Sequence, residues 1–452
     1  MSRIVKWGMV ALVVVLAGGA GAGGYAGVRH LREPGAAPAS TAAAPDRALA
    51  GATVAPSPAP TSVGRAPSSA GVAAALRGPL GDAHLGHHVL AEVRDVATGA
   101  LLLTRGGTTP AAPASTAKLT TALAVLSVRA PSDRISTRVV AGAQPGTVVL
   151  VGGGDPTLTA AASARPGAYP DAARISDLAR QLHGVRRVEV DGALFAGPGV
   201  SPYWAPEDVP SDYAAPITAA MVDGGRDTPG ATIRSTAPDL AAGRALAAAL
   251  GLRGVLVSRA KAPAGARTLA SVQSAPISTL VTQMLQTSDN VIAECLARQV
   301  AIAQHQPASF AGGATAVRAA LHKLGVAIGT GLVDGSGLAA RDRLTPDTLA
   351  RVLALATKAQ PGLLDALPVA GWSGTLADRY LTGSAKAGAG VVRAKTGTLT
   401  SVSTLAGLVH DKDGRLLAFA LMADRVGPTA PDTTAAEAAL DRAAATLARC
   451  GC

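Results

Sequence analysis

A serine and a lysine three residues apart, Ser115 and Lys118, stand at the head of an apolar run in which Leu119, Leu123 and Leu126 repeat at helical spacing. The spacing predicts a helix from Ser115 to about Val128. Residues i and i+3 share a helix face, so the hydroxyl and the amine reach one cavity. The helix start supplies unpaired N–H groups and partial positive charge for an alkoxide. A lysine amine, unlike a guanidinium, loses its proton when buried or set beside another cation, and can then take the serine proton. Only eight of the 41 Lys and Arg residues are lysines, so their positions carry more information than usual. Ser-x-x-Lys recurs by chance in many proteins, and its meaning depends on the rest of the chain.

Two further motifs follow in order. Ser288-Asp289-Asn290 lies between an apolar helix near 277–285 and another reaching about Ile302. Lys395-Thr396-Gly397-Thr398 lies in a strand predicted for 391–398. Taken singly, these motifs read as a helix start, an N-cap and an exposed strand end. Together they form an acyl-transfer set. Ser115 attacks a carbonyl, Lys118 accepts its proton, and two backbone N–H groups hold the oxyanion. Ser288 and Lys395 return the proton to the leaving amine. Lys395 also provides a positive field for a substrate carboxylate, which favours a neutral Lys118. Strands near 88–95 and 100–104 form a hairpin before the first motif, and 402–409 pairs with 416–422 after the last. Helices are expected near 313–324, 345–357 and 435–447.

The chain divides by texture. Arg3 and Lys6 precede an uncharged apolar run, Trp7 to Val28, so residues 1–28 read as a signal peptide or a membrane anchor and the remainder as exported. Residues 29–70, rich in Ala and Pro, read as a flexible linker. Residues 71–131 and 269–452 carry the motifs. Residues 132–268 differ, with short strands (136–140, 147–151, 186–190) alternating with helices (171–183, 239–250), and read as an inserted smaller domain. Within it, Gly152-Gly153-Gly154-Asp155-Pro156 lacks the Gly-Lys-Ser/Thr of a phosphate loop and reads as a glycine turn. His84, His87 and His88 lack partners at metal-ligand spacing, so no metal and no cofactor is expected. The formal charge of +11 suits anionic surroundings, but no nucleic-acid-binding pattern accompanies it. Three cysteines allow one disulfide; Cys295 sits in an apolar helical pattern, while Cys450 and Cys452 can pair with each other, with Cys295 or with another molecule.

With these motifs in this order, the sequence resembles the class C low-molecular-mass penicillin-binding proteins, the D-alanyl-D-alanine carboxypeptidase/endopeptidase family. Asp95–Gly99, Pro113–Leu119, Leu150–Leu158, Trp204–Ala219, Asp334–Leu338, Leu367–Gly371 with Gly374–Leu376, and Arg393–Leu399 all match family segments. The resemblance implies an α/β (α+β) fold of the serine β-lactamase/transpeptidase type, an antiparallel sheet flanked by helices with one inserted domain. It implies that Ser115 is the nucleophile, Lys118 its base, and Ser288 and Lys395 the proton relay. Asn290 would orient the substrate amide, Thr396, Gly397 and Thr398 would line the substrate-binding strand, and the N–H groups of Ser115 and Thr398 would form the oxyanion hole. The implied substrate is the D-Ala-D-Ala end of peptidoglycan stem peptides in the cell envelope, with β-lactams as covalent inhibitors. The short Ser115–Ser288 interval implies one insertion only. The alternatives are a class A-like β-lactamase, for which Glu294 lies too near Asn290 to resemble the deacylating glutamate, and a non-catalytic wall-binding protein.

Overall fold

The computed structural model describes residues 64–162 and 167–452; the apolar run at 7–28 and the linker up to residue 63 lie outside them. The strands are β1 (Val89–Asp95), β2 (Leu101–Arg105), β3 (Ser136–Ala141), β4 (Thr147–Val151), β5 (Arg187–Asp191), β6 (Ser258–Arg259), β7 (Thr268–Gln273), β8 (Arg393–Leu399), β9 (Val402–His410) and β10 (Leu416–Ala423). The helices are α1 (Ser69–Arg77), α2 (Lys118–Val128), α3 (Ile175–Ala179), α4 (Pro238–Ala249), α5 (Ile277–Thr287), α6 (Asn290–Ala303), α7 (Phe310–Lys323), α8 (Pro346–Ala359), α9 (Gly362–Asp365) and α10 (Ala430–Arg449). No described helix is long and apolar enough to cross a membrane.

The strands form two five-stranded sheets. The first runs β2-β1-β10-β9-β8 and is antiparallel throughout. Its central strand, β10, is apolar at every position because both faces are covered. Leu417, Phe419 and Leu421 pack with α1 and α10, whereas Ala418, Ala420 and Met422 pack with α2 and α5–α8. Side chains alternate across a strand, so one apolar run serves two helical layers. β8, which carries Lys395, is left at the sheet edge beside the start of α2.

The second sheet, β6-β5-β4-β3-β7, is mixed: β4, β5 and β6 are parallel, while β3 is antiparallel to β4 and β7. It has its own core of Val148, Leu150, Leu178, Val188, Val190 and Leu246, among others. Two sequence expectations change here. The helix expected over 171–183 shrinks to α3, because residues 173–175 pair instead with Thr159 (Thr159 N–H to the Ala173 carbonyl, 2.8 Å; Ile175 N–H to the Thr159 carbonyl, 3.0 Å). The sheet also runs to Gln273, past residue 268, because β7 is a polar edge strand with no apolar run to announce it.

The glycine run 152–154 is a close-packed seam between this sheet and α6. A Cβ at Gly152 would fall 2.3 Å from the Ala219–Ala220 peptide, and one at Gly153 would fall 2.0 Å from the Ser136 carbonyl oxygen. Gly154 has φ +90° and lies against Gln299 and Phe195. Gln299 donates to the Gly153 carbonyl (2.9 Å) and accepts from Arg129 (3.0 Å).

Beside this seam Arg298, 1% exposed, reaches the Glu294 carboxylate (3.2 Å) and carbonyl (3.1 Å). Its guanidinium carbon lies 4.1 Å from the Phe310 ring centroid and 5.4 Å from that of Phe195. At the other end of the chain Cys450 pairs with Cys452, leaving Cys295 as a buried free thiol. The Cys452 carbonyl accepts from the Ser68 amide and hydroxyl, both at 2.8 Å, and so holds the start of α1. Because removing one partner of a buried ion pair leaves the other uncompensated, Arg298→Ala is expected to lower unfolding free energy by about 3–5 kcal/mol in urea titrations; Arg298→Met, which keeps the volume, is expected to lose less.

Candidate active site

From Ala111 to Leu126 every residue is buried except Ser115, which is partly exposed. It stands on a tight 3-10 turn, Ala114–Ala117, that leads into α2. Ala114 is left-handed (φ +46°), a costly conformation for a residue with a Cβ. Two glycines let that turn pass. A Cβ at Gly337 would fall 1.9 Å from the Ala114 carbonyl oxygen, and one at Gly397 would fall 2.7 Å from that of Pro113 and 2.2 Å from the Thr404 hydroxyl. The Thr116 and Thr404 hydroxyls donate to the Pro113 carbonyl at 2.6 and 2.8 Å.

Lys118 is fully buried, and its Nζ has three partners: Ser115 Oγ at 2.9 Å, Asn290 Oδ1 at 2.6 Å and the Ser336 carbonyl at 2.8 Å. A neutral amine has two N–H donors and one lone pair. An amide oxygen and a carbonyl only accept, so they take the two donors and leave the lone pair facing the Ser115 hydroxyl. Burial lowers the Lys118 pKa to about 8; the charges of Asp334, Asp289, Glu294 and Asp342 pull the other way.

Lys395 is also fully buried, and its Nζ donates to the Thr396 carbonyl at 2.8 Å. Burial, then the charge of Lys118, then that of Arg379 hold its pKa well below the usual lysine range. Burial is the first cause at both lysines, and the charge of Lys118 further disfavours a charged Lys395.

α5 ends at Ser288 in a left-handed conformation (φ +57°), which turns the chain sharply into α6. Asp289 caps α6 by accepting from the Val291 and Ile292 amides at 2.8 and 3.0 Å. Its other oxygen accepts from the Tyr169 hydroxyl (2.7 Å) and Arg234 (3.1 Å), both from the chain segment of the second sheet. Burial would raise its pKa, but the charge of Arg234 and these hydrogen bonds hold it at about 2. Asn290 donates through Nδ2 to the Tyr213 carbonyl (3.2 Å), so both ends of its amide have protein partners. The Ser288 hydroxyl makes no hydrogen bond to Ser115, Lys118 or Lys395. Along β8 the Thr396 hydroxyl meets that of Thr375 (2.9 Å), and the Thr398 hydroxyl donates to Glu437 Oε1 (2.6 Å).

Several contributors are not legible as motifs. The Ser336 carbonyl is set by the Asp334–Leu338 loop, where Asp334 accepts from the Ser336, Gly337 and Ala339 amides (3.0, 2.6 and 2.9 Å) and from the Trp204 indole (2.8 Å). Glu294 accepts from the Gly335 amide (2.9 Å). Burial and the Asp334 charge push Glu294 up to about 7, and the same causes raise Asp342 well above the carboxylate range. The Asp-Gly-Ser-Gly turn composition and the match of Asp334–Leu338 to a family segment are the sequence signals for this loop, and neither marks the Ser336 carbonyl. Two surface cavities of about 910 and 420 Å³ lie on the second-sheet segment, away from these residues.

A serine hydroxyl aimed at a buried amine, beside the edge of an antiparallel sheet packed between helices, defines a serine acyl-transfer hydrolase of transpeptidase-like fold. The profile of the D-Ala-D-Ala carboxypeptidase 3 (S13) family matches residues 72–232 and 226–447, and the chain belongs to that family. Carboxypeptidase Rv3627c of Mycobacterium tuberculosis is 46% identical over 401 residues, covering 85% of each chain. The D-alanyl-D-alanine carboxypeptidase of an Actinomadura species is 30% identical over 420 residues, covering 73% of this chain and 76% of its own. The crystal structure of penicillin binding protein 4 (dacB) from Haemophilus influenzae superposes with a TM-score of 0.68 at 22% identity, covering 82% of this chain and 97% of that one.

The low pKa of Asp289 has a consequence for stability. The folded chain keeps this carboxylate ionised more firmly than the unfolded chain does, so its contribution is present above about pH 4 and lost as pH falls towards 2. Asp289→Asn is expected to cost roughly 2 kcal/mol at pH 7, and the gap to the wild type to close near pH 2, as read from urea unfolding at several pH values.

Proposed function

We propose that this serine D-Ala-D-Ala carboxypeptidase works through an acyl-enzyme on Ser115. Ser115 Oγ attacks the carbonyl of the penultimate D-alanine of a peptidoglycan stem peptide while Lys118 takes its proton. The Ser115 and Thr398 amides hold the oxyanion. The proton reaches the leaving amine through Ser288 and Lys395, once substrate closes the gap between them. Water then releases the shortened peptide. Asn290 orients the substrate amide, and Thr396, Gly397 and Thr398 form the strand edge on which the terminal carboxylate sits. β-Lactams acylate the same serine. The observation that carries this reading is the Lys118 amine, 2.9 Å from Ser115 Oγ, with its two N–H groups occupied by Asn290 and Ser336.

In the same reading, residues 71–131 and 269–452 are the catalytic unit and 132–268 the inserted domain, with β7 carrying the insert on to Gln273. The apolar run at 7–28 directs export and serves as a signal peptide or an anchor, so the enzyme works in the cell envelope. The β-lactamase alternative needs a glutamate free to activate water. Glu294 is 1% exposed and bonded to the Gly335 amide and Arg298, which favours slow deacylation of penicillin.

A fluorescent penicillin is expected to label the wild type covalently and to leave Ser115→Ala unlabelled; equal labelling of both ends the Ser115 assignment. Incubation with a defined pentapeptide and a cross-linked muropeptide dimer, read by mass, is expected to release D-alanine from the first; the yield of monomer from the second measures endopeptidase work. Because protonated Lys118 cannot accept, kcat/KM for acylation is expected to fall about tenfold per unit below about pH 8 and to level off above it. A flat profile between pH 6 and 9 excludes Lys118 as the base.

A further inference from the structure

The carboxylate subsite proposed above rests on Thr396 and Thr398, and the second of these is not free. Its hydroxyl donates to Glu437 Oε1 at 2.6 Å, from an exposed position on the edge strand. A hydroxyl has one proton to give. A substrate carboxylate arriving at Thr398 must take that proton from Glu437 and leave two carboxylates facing each other. The cation that reaches Glu437, Arg379, is committed elsewhere. Its Nε and Nη2 grip Asp441 at 2.8 and 2.7 Å, while its Nη1 lies 3.8 Å from Glu437 Oε2. With both carboxylates ionised, Arg379, Asp441 and Glu437 sum to a formal charge of −1 beside Thr398; burial raises the pKa of Asp441, and Glu437 is the carboxylate nearer the Thr398 hydroxyl. Lys395, the expected source of positive field, is buried, and its charged form is disfavoured.

We propose that Glu437 is a specificity-determining residue of this subsite: by holding the Thr398 hydroxyl and placing a negative charge beside it, it narrows the preference for a leaving D-residue with a free carboxylate over one with a neutral carboxamide. A carboxamide brings its own N–H donors, which can be given to Glu437, so it enters without opposing charge. The inference rests on the Thr396–Thr398 reading of the carboxylate site and fails with it.

The test uses the purified full chain and two matched peptides ending in D-Ala-D-Ala, one with a C-terminal carboxylate and one with a carboxamide. The quantity read is the ratio of their kcat/KM values, carboxylate over carboxamide, from release of D-alanine and D-alaninamide. Glu437→Gln keeps an oxygen to accept from Thr398 and removes the charge. It is expected to raise the ratio about tenfold, the size of a single unfavourable polar contact, with most of the change in the carboxylate peptide. Asp227→Asn, an equal charge change on the surface of the second-sheet segment, is expected to leave the ratio alone. A ratio in Glu437→Gln that stays within twofold of wild type, or that falls, overturns the proposal, as does an equal rise in Asp227→Asn. Thr398→Val separates the two levels of failure. A fall in its ratio supports the subsite reading on which the proposal rests, whereas an unchanged ratio shows that the carboxylate does not sit on Thr398 and overturns both.

Discussion

The structure depends on one buried amine. Lys118 has no contact with solvent, and moving it from the usual lysine range to about 8 corresponds to roughly 3 kcal/mol against its charged form. That environment must be held still, because a lone pair aimed at a hydroxyl is useful only while the two N–H groups stay occupied. The three partners come from distant parts of the chain: Ser115 from the turn before α2, Asn290 from the start of α6, Ser336 from a loop after α7. Each is fixed by further bonds. Thr116 and Thr404 pin the turn, Asp289 caps the helix, and Asp334 with Glu294 shapes the loop. The same carboxylates favour the protonated amine. Their pull explains why burial lowers the pKa to about 8 and no further.

The segment between the first two motifs belongs to this support. Tyr169 and Arg234 hold Asp289, the Tyr213 carbonyl holds Asn290 Nδ2, and Trp204 holds Asp334. These contacts brace both acceptors of the lysine from one side. The glycine seam at 152–154 brings that segment within bonding distance of α6. The segment between Ser115 and the Ser-Asp-Asn corner thus forms one wall around the partners of Lys118.

What could be read from the chain, and what could not, follows from the range of the interactions. The Ser-x-x-Lys spacing, the paired strands at 402–409 and 416–422 and the helix near 345–357 rest on local signals, and β9, β10 and α8 lie close to where those signals place them. The Ser336 carbonyl could not be read, because a backbone acceptor leaves no mark on residue identity. Nor could the partners of Asp289, which lie 55 and 120 residues away. α3 came out short because the backbone of residues 173–175 found a better partner in Thr159 than in its own helix. The role of Asn290 is the most instructive case. The family resemblance implies that it orients the substrate amide; both ends of its amide are engaged with the protein, so contact with substrate requires exchange of one of those bonds.

The division of labour between lysine and arginine makes physical sense on the same grounds. Among the described residues the ion pairs use arginine or histidine and never lysine. Arg234, Arg298, Arg379 and Arg415 sit in protected places against Asp289, Glu294, Asp441 and Asp95. A guanidinium keeps its charge under burial, so it needs a carboxylate or, for Arg298, two aromatic rings as well. Lys118 and Lys395 sit against hydroxyl, amide and carbonyl oxygens instead, partners that tolerate a neutral amine. Had position 118 been arginine, its charge would have persisted and Ser115 would have faced a cation with no lone pair to offer. On the proposed mechanism these choices have one logic: the site needs a base that can be uncharged, whereas the protected ion pairs need cations that stay charged.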